Sequence, residues 1–248
     1  MKRIFLSIVM LVVANFIATA SDESTSSGNT VSNQDGMAMA QGMVLEDSSR
    51  VHIAASVGVG FANVRMGNQQ FDKKSVIHYQ AGAVVDYMLA KRCFLESGLS
   101  FLHKGYKNSH QGNAGLDEET LHLYYLQIPV TFNYMIPVEK VWLIPQAGPY
   151  LSFALAGVYN KYSDIEGVQK DESHNIFKDE NPNGTKKYRR FDCGVRFGVN
   201  VLFLKKVRVG IDYDLGLVNI LNKNYYANDA DVKSKNGVFS VNFAYYFK

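Results

Sequence analysis

Long segments in which apolar and polar residues strictly alternate are the feature that most constrains the fold of this chain. From Arg190 to Phe203, the odd positions hold only phenylalanine, valine and cysteine. The even positions hold arginine, aspartate, glycine and asparagine, with one leucine at Leu202. A repeat of two residues places these sets on opposite faces of a β-strand. Residues 207–217 and 239–247 alternate in the same way, so the sequence predicts β-strands with one apolar face.

Extending this pattern over the chain gives eight strands, each about ten residues or longer. Ordinary globular strands average ~5–6 residues, whereas a tilted strand of ~9–11 residues crosses a bilayer. Only a closed barrel satisfies every backbone polar group of such strands inside a membrane. We therefore predict an all-β fold, an eight-stranded antiparallel up-and-down transmembrane β-barrel. The predicted strands cover 51–64, 76–89, 93–106, 121–135, 141–157, 190–203, 207–217 and 239–247.

The connections between these strands alternate between short and long. Short turns fall at 90–92, 137–140 and 204–206, and long polar loops at 65–75, 107–120, 158–187 and 222–235. Outer-membrane barrels have short periplasmic turns and longer extracellular loops. Within the fifth strand, Pro145 and Pro149 each remove a backbone donor, which predicts a bulge there.

The N-terminus has the pattern of a secretory leader. Lys2 and Arg3 precede an apolar stretch from Ile4 to Ala18, and Ala18-Thr19-Ala20 forms a small-residue cleavage site. An uncleaved anchoring helix is the alternative, although about 15 residues are short for a ~30 Å hydrocarbon core. We predict a signal peptide over 1–20, a flexible periplasmic segment over 21–49 and an outer-membrane β-barrel domain over 50–248, located in the cell outer membrane.

Composition excludes several other classes of protein. Apolar residues make up 47% of the chain, which excludes global disorder. Lys plus Arg total 26 against 23 Asp plus Glu, so no excess of positive charge points to nucleic acid. Two cysteines in a chain of this length rule out a disulfide scaffold, and the lack of a CxxC motif or Cys/His cluster argues against a structural zinc site.

Charged residues on the polar faces of the strands are predicted to fill the barrel lumen. An eight-stranded barrel is just wide enough for side chains to fill, which favours a structural ion-pair network. A narrow path for ions or protons is the alternative within a membrane barrel, and a soluble barrel with its apolar face inward is the alternative to the membrane fold. The predicted lumen residues are Asp86, Glu96, Lys104, Arg190, Asp192, Arg196, Arg208, Asp212 and Asp214.

The histidines near the predicted loops raise the alternative of an enzyme at the barrel rim. These are His103, His110, His122 and His174, but no Gly-x-Ser-x-Gly motif accompanies them. The acids of the 158–187 loop lack the spacing of an EF-hand calcium site. We therefore predict no catalytic residues, no cofactor and no metal.

Several short motifs resemble one known family, the PorT-like outer-membrane β-barrel proteins. They are the runs Tyr125–Val130 and Pro145–Tyr150, the Gly194–Gly198 segment and the aromatic last strand. The resemblance covers about residues 50–248 and implies a small exported barrel, with one branch of the family acting in protein secretion. In one departure, the terminal Phe common in barrel proteins is here followed by Lys248.

The function predicted from the sequence is a structural or partner-binding role in the outer membrane, with an accessory role in protein secretion implied by the resemblance. A narrow channel is the first alternative and a lipid-modifying rim enzyme the second. The expected surroundings are outer-membrane lipid. A protein partner could contact the extracellular loops or the periplasmic turns, and no nucleic acid is expected.

Overall fold

The structure is a computed structural model. It describes residues 50–66, 73–112, 115–165, 168–178, 187–204, 206–222 and 233–247. The predicted signal peptide and the predicted flexible segment at 21–49 lie outside the described residues and stay predictions. No helix among the described residues is long and apolar enough to span a membrane.

The described residues form eleven β-strands. In order they are β1 (Val51–Met66), β2 (Lys73–Lys74), β3 (Val76–Ala90), β4 (Cys93–Gly112), β5 (Gly115–Tyr134), β6 (Ile136–Val138), β7 (Val141–Ile165), β8 (Val168–Asn175), β9 (Phe191–Phe203), β10 (Val207–Gly216) and β11 (Ser234–Phe247).

Eight of these strands close into a ring in which every neighbouring pair is antiparallel. Around the ring the order is β1, β3, β4, β5, β7, β9, β10 and β11. The ring closes because β1 pairs with β11, for example Ile53 with Phe247 and Phe61 with Phe239. The predicted eight-stranded antiparallel barrel is therefore confirmed.

The outward and inward faces of the strands differ in polarity and in burial. Large apolar side chains point outward, as in β1, where Val57 is 54% exposed and Val59 is 59% exposed. Inward-pointing side chains are buried although many are polar, for example Gln127 and Asp192. An apolar outside and a polar inside is the reverse of a soluble ligand-binding barrel, and it matches a barrel embedded in lipid.

The short turns and both ends of the described barrel lie at one end, which we call the turn end. Ala90 and Cys93 are joined by a two-residue turn there, and β1 begins there beside β3. At the opposite end, the loop end, two predicted loops are instead continued strands. Residues 107–112 and 115–120 extend the hairpin of β4 and β5, and residues 158–165 and 168–175 form a second hairpin of β7 with β8. Their polarity suggested loops, but paired backbone outside a membrane needs no apolar face.

The predicted bulge at the prolines of β7 is wrong. Pairing with β9 keeps one register from Trp142 to Phe153, through both prolines. Against β5, the register is also the same on both sides of Pro149. It shifts instead between Tyr124 and Tyr125, where Leu155 is the extra residue of β7. The lost donors are thus accommodated without changing which side chains face the lumen.

Candidate functional site

Toward its loop end, the lumen holds a fully buried lysine. Lys104 Nζ lies 3.2 Å from Asp192 Oδ2, and both side chains have no exposed surface. The same ammonium donates to Gln127 Oε1 at 3.0 Å. It also lies 4.6 Å from the ring centre of Tyr150 and 5.1 Å from that of Tyr125. A buried charge is costly unless it is paired, and here it has a carboxylate, an amide and two aromatic faces.

A second ion pair is joined to the first through the same glutamine. Arg196 binds Asp214 with two hydrogen bonds, Nε to Oδ1 at 2.6 Å and Nη2 to Oδ2 at 2.9 Å. Gln127 Nε2 donates to Asp214 Oδ2 at 2.9 Å. Since Gln127 accepts from Lys104 and donates to Asp214, the two pairs form one connected network across the lumen.

A third group of charges lies nearer the turn end. Arg208 Nη2 is 2.5 Å from Glu96 Oε2, and its Nη1 is 3.6 Å from Asp86 Oδ2. The Tyr246 hydroxyl donates to Asp86 at 2.6 Å. One guanidinium thus faces two carboxylates, and the tyrosine hydroxyl supplies a further donor to one of them.

Asp212 lies between these groups and is held by amides. It accepts from Gln146 Nε2 at 2.5 Å and from Asn242 Nδ2 at 2.6 Å. Beside it is a cavity of about 30 Å³ that is also lined by Arg196 and Arg208. Such a volume holds about two water molecules. Around this cavity, the polar interior is filled by hydrogen-bonded side chains.

Arg190, predicted as a lumen base, lies apart from these groups. Its Nη1 donates to the backbone carbonyls of Ala154 at 3.0 Å and Leu155 at 3.1 Å. Its guanidinium lies 4.2 Å from the ring centre of Phe177. Arg190 lies outside the ion-paired groups because it comes just before the first residue of β9, where the chain enters the barrel at the loop end. The structure thus brings seven of the predicted residues into three ion-paired groups, and Asp212 lies beside them with its carboxylate held by two amides.

Apolar clusters lie at both ends of the lumen. At the loop end, residues between the strands turn inward onto Leu121 and Leu123 of β5, and we call them the outer cap. This outer cap consists of Ile176, Phe177, Tyr188, Ile220 and Leu221, all of them buried. At the turn end, the interior is filled by a second cluster, which consists of Phe94, Met135, Trp142 and Ile144. The sequence analysis missed the outer cap, although apolar dipeptides within otherwise polar connections were a signal for it.

Two of the histidines noted in the sequence meet on the outside of the barrel. His103 Nε2 and His122 Nδ1 are 2.9 Å apart, and the ring of His103 stacks on Tyr79 with centroids 5.0 Å apart. In the part of the chain that the structure describes, no group of three or more His, Cys, Asp or Glu side chains is placed to hold a metal ion. The histidine pair is an outward-facing contact between neighbouring strands.

Beyond the loop end of the barrel, four strand segments form a sheet that we call the extended sheet. It consists of residues 107–112, 115–120, 158–165 and 168–175. Lys107 Nζ lies 2.7 Å from Glu118 Oε2 across its first two segments. This hydrogen bond from Lys107 holds the pKa of Glu118 below its ordinary value, and Ser109 adds a second donor at 3.2 Å.

A closed ring of long antiparallel strands, apolar outside and ion-paired inside, defines an integral β-barrel membrane protein. Residues 39–222 match the family model of the outer membrane protein beta-barrel domain. Because this match covers most of the chain, the protein belongs to that family, and its location is the outer membrane. The narrower resemblance to the PorT-like proteins stays a prediction.

Among solved structures, the chain is similar to small outer-membrane barrels of other bacteria. Neisserial surface protein A has 16% identity and a TM-score of 0.41, over 82% of this chain and 100% of that one. The attachment invasion locus protein Ail of Yersinia pestis has 11% identity and a TM-score of 0.36, over 80% and 100%. OprG of Pseudomonas aeruginosa has 10% identity and a TM-score of 0.33, over 79% and 95%. No curated protein matches the sequence significantly.

Proposed function

We propose that this protein is a non-conducting, non-catalytic barrel that holds the extended sheet outside the cell for a protein partner. The observation that carries the proposal is the combination of a lumen that has apolar clusters at both ends with strands that continue past the barrel. A channel needs a continuous polar path, and the buried apolar side chains of the outer cap pack together at the loop end of the lumen, where such a path would open.

The extended sheet has the properties of an interaction surface. Its backbone is paired from strand to strand, as between Gly115 and Ile165 or Val158 and Asn175, so its shape does not depend on a partner. Most of its residues are polar and carry both signs of charge, with Lys170 71% exposed and Glu172 50% exposed. Polar, mixed-charge surfaces suit a specific protein contact better than lipid. An accessory role in protein secretion would be one form of such binding.

The test replaces residues 160–173 with a two-residue Asn-Gly turn. Because Tyr159 pairs with His174, the shortened hairpin can close directly, and the outer cap at Ile176 and Phe177 is retained. We expect a stoichiometric partner to co-purify with the unmodified protein from native membranes and to be lost from the shortened variant. The control is the gel migration of the variant with and without boiling, which reports that its barrel is folded. An identical set of co-purified proteins for both forms would contradict the proposal.

A further inference from the structure

We propose that residues 21–49 bind the basic turn end of their own barrel. At this end of the molecule, basic side chains far outnumber acidic ones. Its described basic residues are Arg50, Lys91, Arg92, Lys140 and Lys206, and all but the partly buried Arg92 are exposed. Glu139 is the one acid of the described turns there. Among the residues that the structure describes, this face therefore carries five basic side chains and one acidic side chain.

The segment that precedes the barrel has the opposite charge. Residues 21–49 contain Asp22, Glu23, Asp35, Glu46 and Asp47, and no lysine or arginine. Its net charge is thus −5, and it would still be −3 with Lys2 and Arg3 retained on an uncleaved leader. Charge complementarity of this size, within one chain, favours this segment as the occupant of the basic face.

The covalent connection brings the two sets of charges together. Arg50 lies at the turn end, since its carbonyl accepts a hydrogen bond from Met88 N at 2.8 Å. Glu46 and Asp47 precede it by four and three residues, and a chain spans at most ~3.3–3.6 Å per residue, so neither can be more than about 15 Å from it. A tethered ligand of this kind has an effective concentration in the millimolar range.

The physics of exposed ion pairs sets the character of this contact. Each exposed pair contributes only ~0.2–1 kcal/mol, and salt screens charges beyond ~8–10 Å. The contact is therefore the sum of several weak pairs and must weaken steeply with salt. When formed, it covers positive charge that would otherwise attract anionic lipid headgroups or acidic macromolecules in the periplasm.

The test measures how often the segment meets the turn end in the full-length protein. Cysteines are introduced as Ser32→Cys and Ala90→Cys, in a background with Cys93→Ser and Cys193→Ser. The protein is placed in nanodiscs of phosphatidylcholine, and the rate of disulfide formation between the two new thiols is followed. Each rate is divided by the reactivity of the Ala90→Cys thiol towards a neutral disulfide, because nearby positive charge alone raises thiol reactivity.

Two neutralised variants serve as matched controls. The first neutralises the segment with Asp22→Asn, Glu23→Gln, Asp35→Asn, Glu46→Gln and Asp47→Asn. The second neutralises the turn end with Lys91→Gln, Lys140→Gln and Lys206→Gln. At 20 mM salt, we expect the normalised rate of disulfide formation in the protein with its charges unchanged to be at least fivefold higher than in either variant. At 1 M salt all three rates should converge.

Equal normalised rates for the three proteins at 20 mM salt would overturn the proposal. A second arm repeats the measurement in nanodiscs that contain phosphatidylglycerol. Loss of the rate enhancement there would show that anionic lipid occupies the basic face in a membrane, and it would also overturn the proposal. Persistence of the enhancement supports the segment as the occupant.

Discussion

Removing the ammonium of Lys104 is the sharpest perturbation of the lumen network. Lys104→Met keeps most of the side-chain volume but leaves Asp192 buried without its cation. Removing one partner of a buried ion pair typically costs about 3–5 kcal/mol. Since Lys104 has no exposed surface and Gln127 also loses its charged donor, we expect the free energy of unfolding to fall within that range.

A matched control lies three residues further along the same strand. Lys107 also forms an ion pair, but its side chain is 36% exposed and that of Glu118 is 28% exposed. Exposed pairs contribute less than about 1 kcal/mol, so Lys107→Met should change the free energy of unfolding by no more than that. The double variant Lys104→Met/Asp192→Asn removes the unpaired charge while an amide can still accept from Asn236. It should recover at least about 2 kcal/mol of the loss.

The assay is equilibrium unfolding by guanidinium in phosphatidylcholine vesicles. Trp142 is the one tryptophan of the chain and is buried at the turn end, so its fluorescence reports unfolding of the barrel. A cost for Lys104→Met no larger than that of Lys107→Met would refute the reasoning. A double variant as unstable as Lys104→Met would show that the cost comes from lost packing and not from the unpaired carboxylate.

Three further predictions concern packing, topology and pH. A methyl group at Gly58 would meet two flexible side chains, whereas one at Gly60 would meet backbone atoms of the neighbouring strand. Gly60→Ala should therefore lower the stability by about 1–3 kcal/mol, the usual cost of overpacking, and Gly58→Ala by less. Cys93 and Cys193 lie toward opposite ends of the barrel as free thiols, so thiol counting without reductant should give two per chain, and a quantitative bridge between them would contradict the strand order. The pKa of Glu118 is lowered in the folded state, so the stability that Glu118 gives the extended sheet should be complete above its unfolded pKa and be lost as pH falls through its folded pKa. Hydrogen exchange of that hairpin should therefore accelerate in acid. An unchanged exchange rate would contradict this.

The barrel could be predicted from the sequence because lipid imposes a strict rule on each strand. Outward positions must be apolar, and in β9 this leaves the even positions as the polar inner face. The parity that assigns Asp192 and Arg196 to the lumen follows directly from this rule. Lys104 and Asp192 are 88 residues apart in the chain, however, so their pairing depends on the register of four strands and could not be predicted.

Features outside the lipid-facing region were harder to predict because that rule no longer applies. The sequence of residues 107–120 is almost entirely polar, which is compatible with a loop and with a solvated hairpin alike. Ile176 and Phe177 follow a polar strand and are buried only because the chain folds back onto the barrel. Arg190 follows the parity of β9 but precedes its first residue, so parity alone assigned it wrongly to the lumen network.

Conductance in planar lipid bilayers tests the closed lumen most directly. Protein that is folded, as shown by altered gel migration before boiling, is added to the bilayer and the current is recorded at steady voltage. Because ion-paired side chains fill the lumen and apolar clusters lie at both of its ends, we expect no steady current above that of the bare bilayer. Replacing Arg196 and Asp212 with alanine should loosen the interior and raise the frequency of brief openings. A large and steady porin-like current from the unmodified protein would contradict the closed barrel.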